Sequence, residues 1–170
     1  THNPHHFSDK IILAIFFCTG FAALVLENIW IRFFDIIYGN SIISFSLVVG
    51  SFLLGLGLGS FYLPKYLRLL KSKTYAFSLV TLFIGLYSIA TVLAFPYFEK
   101  IFLGLYFTTQ NYYGFLFLLG LVSFLFLLIP TALMGSTLPL ITSIYSSGKN
   151  IGTDFGKLYG INSLGSIFGS

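Results

Sequence analysis

Charge is what this chain has least of. Only 8% of its 170 residues are Asp, Glu, Lys or Arg, while 56% are hydrophobic and mean hydropathy is +0.92. A soluble domain of this length needs far more charge to cover its surface, so the surface is expected to face lipid. The formal charge of +4 is not a nucleic-acid footprint, because the basic residues stand between apolar runs. Cys18 is the only cysteine and lies within such a run, which excludes an internal disulfide. All three histidines, His2, His5 and His6, fall in the first six residues. No Ser/His/Asp set can be drawn from that distribution, and no His pair stands at ligand spacing in a span for haem or a transition metal. There is no GxxxxGK[ST] loop, and the glycines of 50–60 sit inside an apolar run rather than after a strand, so a dinucleotide fingerprint fails its context. The reading is a chain with no catalytic, cofactor-binding or metal-ligating residues and no cofactor. Its expected partners are the lipid bilayer and other transmembrane helices, not nucleic acid.

What is present is organised around Ser51-Phe-Leu-Leu-Gly55-Leu-Gly-Leu-Gly59-Ser60, inside an apolar run from Ile42 to Leu63. Ser51, Gly55 and Gly59 are four apart and share one helix face. Glycine costs about 1 kcal/mol against alanine in a helix interior. In lipid that cost is tolerable, because small residues let neighbouring backbones approach closely and an unpaired backbone is worse.

In chain order, residues 1–9 read as a flexible tail. Its three histidines suggest a tail more than a metal site, and Ser8 and Asp9 suit a helix N-cap and first turn. Helices are expected near 10–36, 41–63, 75–95, 113–145 and 154–170. Tyr38-Gly39-Asn40-Ser41 reads as a tight turn with Ser41 capping the second helix; Ser72 or Thr74 caps the third, which is expected to stop at Pro96. Phe98, Ile101, Phe102, Leu105 and Tyr106 repeat at helical spacing, which predicts a short interfacial helix over 97–112 within an aromatic belt. Pro130 and Pro139 are expected to kink the fourth helix. The fold class is all-α: a polytopic membrane bundle of about five transmembrane helices plus one short interfacial helix. Residues 10–170 form a single domain. The absence of an initial Met, the end within an apolar stretch and a fifth helix too short for a ~30 Å core read as a piece of something longer.

Seven basic residues, Lys10, Lys65, Arg68, Lys71, Lys73, Lys149 and Lys157, fall on one side if the spans alternate. By the positive-inside rule that side is cytoplasmic and holds the N-terminus. The candidate intramembrane polar site comprises Glu27, Arg32, Asp35 and Asn162, and the candidate packing residues are Ser51, Gly55, Gly59, Gly135, Gly156 and Gly160. Arg32 and Asp35, three apart, can pair on one face. Glu27 and Arg32, five apart, are about 140° around the helix and pair poorly. Glu27 therefore looks to other helices, with Ser44, Ser51, Ser88 and Thr91 at similar depth. It is either a structural hydrogen-bonding group or a proton- or cation-responsive carboxylate.

Four stretches taken together resemble a known family. They are Gly20-Phe-Ala-Ala-Leu-Val-Leu-Glu27-Asn-Ile-Trp30-Ile-Arg32, Tyr38-Gly39-Asn40-Ser41 with the Gly55–Ser60 run, Leu133-Met134-Gly135-Ser136-Thr137-Leu138-Pro139-Leu140, and Gly156-Lys157-Leu158-Tyr159-Gly160-Ile-Asn162-Ser163-Leu164-Gly165. In that order they resemble the N-terminal membrane module of bacterial membrane-bound spermidine synthase-like proteins, over about residues 11–170. The resemblance implies a bacterial inner-membrane module that accompanies polyamine aminopropyl transfer. The acidic, glycine-rich catalytic segments of aminopropyltransferases are missing, so no catalytic residue carries over. Either such a domain lies beyond Ser170 or the chain is a stand-alone relative. Two other readings stay open: an accessory subunit packed into a larger membrane complex, and part of a small-molecule or polyamine transporter.

Overall fold

The computed structural model describes residues 4–67, 72–108, 111–146 and 151–170. They form five helices: α1 (Pro4–Tyr38), α2 (Ser41–Leu67), α3 (Lys73–Thr108), α4 (Tyr112–Tyr145) and α5 (Ile151–Gly169). No strand occurs among the described residues, and the fold is an all-α bundle. Four segments, Lys10–Tyr38, Ser41–Leu67, Lys73–Ala94 and Tyr112–Tyr145, are long and apolar enough to cross a membrane. Large side chains such as Ile42, Leu93, Phe107 and Phe117 stand out from the bundle, each at least 68% exposed. Apolar exposure on that scale suits a hydrocarbon solvent rather than water.

Prolines set the main differences from the sequence reading. The expected stop at Pro96 does not occur: α3 runs through it to Thr108, so the segment foreseen as a separate interfacial helix is the end of α3. Likewise α2 continues past Pro64 to Leu67. A proline removes one donor and bends a helix, whereas leaving the helix altogether would strand several backbone groups without partners. At the other end, α1 begins at Pro4, so Ser8 and Asp9 lie inside it rather than capping it. Proline suits a helix's first turn because its fixed φ is already helical and its missing N–H has no helical acceptor there. Residues 1–3, including His2, lie outside the described residues, as do 68–71, 109–110 and 147–150 of the expected loops.

The turns follow side-chain capping. Gly39 takes φ +61, a conformation that glycine adopts without steric cost. Asn40, not Ser41, caps α2: its Oδ1 accepts from the Ile42 and Ile43 N–H groups at 3.0 and 3.2 Å. Asn satisfies two orphan donors with one oxygen, which the shorter Ser41 side chain, one residue inside the helix, does not do here. Ser72 Oγ accepts from the Tyr75 N–H at 3.1 Å to open α3, and Asn111 caps α4.

Two buried clusters divide the bundle along its axis. One joins Phe16 of α1, Ala76, Phe77 and Val80 of α3, Leu140 and Ile141 of α4 and Leu158 of α5, with Leu67 of α2 packed against it. The other joins Trp30 and Phe34 of α1, Val48 and Phe52 of α2, Phe98 of α3, and Leu127 and Met134 of α4. The first therefore lies at the lysine-bearing end, the second toward the Gly39 turn. Around Phe98, rings from α1 and α4 meet edge to face: Phe33 at 5.3 Å and Phe126 at 4.8 Å between centroids, the geometry that ring quadrupoles prefer.

Candidate functional site

Small residues build two seams between parallel helices. In the first, α2 lies on α4. A Cβ added to Gly55 would collide with the Thr131 side chain, and one on Gly59 with the Ala132 backbone. Gly135 of α4 faces the Leu56 backbone in the same way. Ser51 completes this face: its carbonyl stands 3.5 Å from Thr131 Oγ1. In the second seam, α1 lies on α5. Gly165 meets the Phe17 carbonyl, Gly169 the Phe21 carbonyl, and Gly20 the backbone of Asn162. Ser166 Oγ donates to the Gly20 carbonyl at 3.2 Å. Backbone approach of this kind maximises dispersion contact where lipid supplies no hydrophobic drive.

Gly156 and Gly160 do not belong to either seam. Nothing lies within 4 Å of a Cβ added to either. They are one turn apart on the face of α5 turned away from α1, while Gly165 and Gly169 occupy the face turned toward it. Gly20, Gly165 and Gly169 carry the seam instead; Gly165 and Gly169 are also four apart, but spacing alone does not say which small-residue face of α5 a neighbour meets.

The polar residues expected to act together are separate. Arg32 is exposed and Asp35 half-buried, yet no ion pair joins them among the described residues. An exposed pair is worth about 0–1 kcal/mol, too little to hold two long side chains in one geometry. Asn162 sits against Gly20, well along α1 from Glu27. Glu27 itself is half-buried and has no hydrogen-bond partner among the described residues. The hydroxyls foreseen as its partners bond back to their own helices: Ser44 to the Asn40 carbonyl, Ser51 to Leu47, Ser88 to Ile84 and Thr91 to Ser88. Such i−3 and i−4 bonds satisfy a hydroxyl without help from a neighbour. Asn28 does the same with the Leu24 carbonyl at 3.1 Å.

Longer-range polar contacts lie on α4. Tyr38 donates to Ser123 Oγ at 3.2 Å, and the Tyr87 hydroxyl to the Phe126 carbonyl at 2.7 Å. Trp30 Nε1, fully buried, has no acceptor among the described residues, which costs about 1–3 kcal/mol for a neutral donor. A cleft of about 300 Å³ opens near the Gly39 turn, lined by Tyr38, Phe102, Tyr106, Tyr112 and Phe115 among others. It is aromatic and carries no charged group. No cluster of three or more His, Cys, Asp or Glu that could hold a metal occurs among the described residues. Comparison of the chain with family models, with curated proteins and with solved structures finds no match.

Proposed function

We propose that this chain is an integral membrane module that anchors or assists polyamine aminopropyl transfer, with the catalytic groups supplied by another domain or subunit. It resides in a bacterial cytoplasmic membrane with its N-terminus on the cytoplasmic side. The observation that supports the module reading is where the last two stretches of the resemblance, around Gly135 and Gly160, fall. Met134, Gly135, Ser136, Thr137 and Leu140 are buried in α4, with Gly135 at the α2–α4 seam. Leu158 and Gly165 are buried in α5, with Gly165 at the α1–α5 seam. Both motifs thus serve helix packing, which suits a scaffold better than a reaction site. The test is purification from native membranes in mild detergent, followed by an assay for transfer of an aminopropyl group to a polyamine. Activity that travels with the chain, on the same polypeptide or a bound one, is the expected result. Folded, membrane-extracted protein with no such activity would overturn the reading.

Glu27 favours a second reading, an accessory subunit in a larger complex. A carboxylate inside a span costs on the order of 3 kcal/mol on insertion scales, and no donor among the described residues offsets it. A donor on a partner's helix would do so.

A further inference from the structure

Four of the five helices each carry one exposed lysine to the same end of the bundle: Lys10 of α1, Lys65 of α2, Lys73 of α3 and Lys157 of α5. That they share an end follows from packing, since Ile12, Leu13 and Leu67 pack on the cluster of Ala76, Phe77, Leu140, Ile141 and Leu158. The remaining helix, α4, brings acceptors instead of a cation. Lys73 Nζ donates to the Ser143 carbonyl at 3.0 Å and Lys157 Nζ to the Tyr145 hydroxyl at 3.1 Å. A cation at a helix C-terminus is favoured by the helix dipole, so both ammonium groups are drawn to the end of α4. An ammonium has three hydrogens, so the bond to Ser143 holds the Lys73 group in place without using it up. Lys65 Nζ rests 4.4 Å from the centre of the Phe61 ring, a cation–π contact within α2. Asp154, half-buried, is the one carboxylate among the described side chains at this end. By sequence the opposite end carries two basic residues, Arg32 and Lys100, and two acidic ones, Asp35 and Glu99.

We infer that this lysine ring gathers anionic phospholipid, binding the phosphates of headgroups that surround the bundle at the level of Lys73 and Lys157. Charge complementarity selects the occupant: lysines placed where the spans end meet headgroups, and an anionic headgroup is favoured by roughly 1 kcal/mol per lysine near the surface. The inference rests on the membrane reading above.

The test uses the whole chain reconstituted in phosphatidylcholine vesicles containing a trace of spin-labelled phosphatidylglycerol or, in parallel, spin-labelled phosphatidylcholine. Flotation first establishes insertion; protein that fails to float with the vesicles overturns the membrane reading and this inference with it. For inserted protein, the motionally restricted population should favour phosphatidylglycerol by about fivefold, the factor one lysine supplies. The preference should fall in 1 M salt, where the Debye length shrinks to about 3 Å. It should also approach one in a K10Q/K65Q/K73Q/K157Q variant while surviving in R32Q/K100Q. Equal restriction of both lipids by the unmodified chain, or a preference indifferent both to salt and to the four substitutions, overturns the inference with the membrane reading intact.

Discussion

The Tyr87 hydroxyl of α3 donates at 2.7 Å to the carbonyl of Phe126 on α4, the acceptor four residues before Pro130. Proline has no N–H, so the Phe126 carbonyl lacks its helical partner. In lipid no water replaces that partner, and a neighbouring side chain must. The proline and the tyrosine are thus one device. Tyr87→Phe should lower stability by about 1 kcal/mol. In a Pro130→Ala background, where the helical N–H returns, the same change should cost much less. Equilibrium unfolding of the four proteins in mixed micelles gives the coupling directly; equal costs in both backgrounds would show the two residues to be independent.

Gly55 offers the sharpest test of the α2–α4 seam. An added Cβ would lie 2.6 Å from Thr131 Cβ, and Thr131 is fully buried and bonded to its own helix, so it has little room to yield. Gly55→Leu should destabilise by about 1–3 kcal/mol or more, the range for overpacked sites. Gly50→Leu, with nothing within 4 Å of its Cβ, is the matched control and should be near neutral. Thermal unfolding in detergent distinguishes the two.

On α5 the expected contrast runs between glycines five residues apart. Gly165→Ala pushes a methyl into the Phe17 carbonyl and should loosen α5 from α1, whereas Gly160→Ala meets open space. The second change should gain slightly from the higher helix propensity of alanine, up to about 1 kcal/mol. Protease sensitivity of the α5 segment reads both; equal sensitivity would mean that α5 is not held through Gly165.

Ser51, Gly55 and Gly59 were legible because their four-residue spacing fixes a face before any partner is known. That their partner is Thr131–Gly135 was not, since α2 and α4 are separated by the whole of α3. Gly20 and Gly165 are nearly the full chain apart, and only tertiary contact gives either a role. The helix ends at Pro64 and Pro96 were misread for a different reason. Proline weakens a helix locally, but the decision to stop rests on whether lipid or water waits outside. Arg32 and Asp35 satisfied the spacing rule without pairing, because spacing permits an exposed ion pair and supplies almost no energy to form it.

The proposed membrane orientation rests on the lysine ring, the end that the positive-inside rule would place in the cytoplasm. In a Cys18→Ser background, cysteines placed at Tyr66 and Thr108, both exposed, should behave oppositely toward a membrane-impermeant thiol reagent. In intact cells position 108 should label and position 66 should label only after lysis. The reverse pattern would invert the bundle.

Glu27 separates a residue that the bundle needs from one that something else needs. It makes no hydrogen bond among the described residues, so replacing it removes no hydrogen bond there. It does remove an insertion cost on the order of 3 kcal/mol. Glu27→Leu should therefore leave the purified chain as stable as before or more so, by thermal unfolding in detergent. A marked loss would mean that the carboxyl is held within the bundle. Glu27→Gln keeps an acceptor and the same volume and adds donors, but it cannot ionise. If the carboxylate meets a donor of a partner helix, complexes isolated from native membranes should survive Gln and dissociate with Leu. If it carries a proton or binds an amine, both variants should keep the complex and lose activity together. Leu that leaves both the complex and the activity intact would remove Glu27 from function altogether. The structural role is the expected outcome, because the hydroxyls nearest in depth are already committed to their own helices and offer no relay.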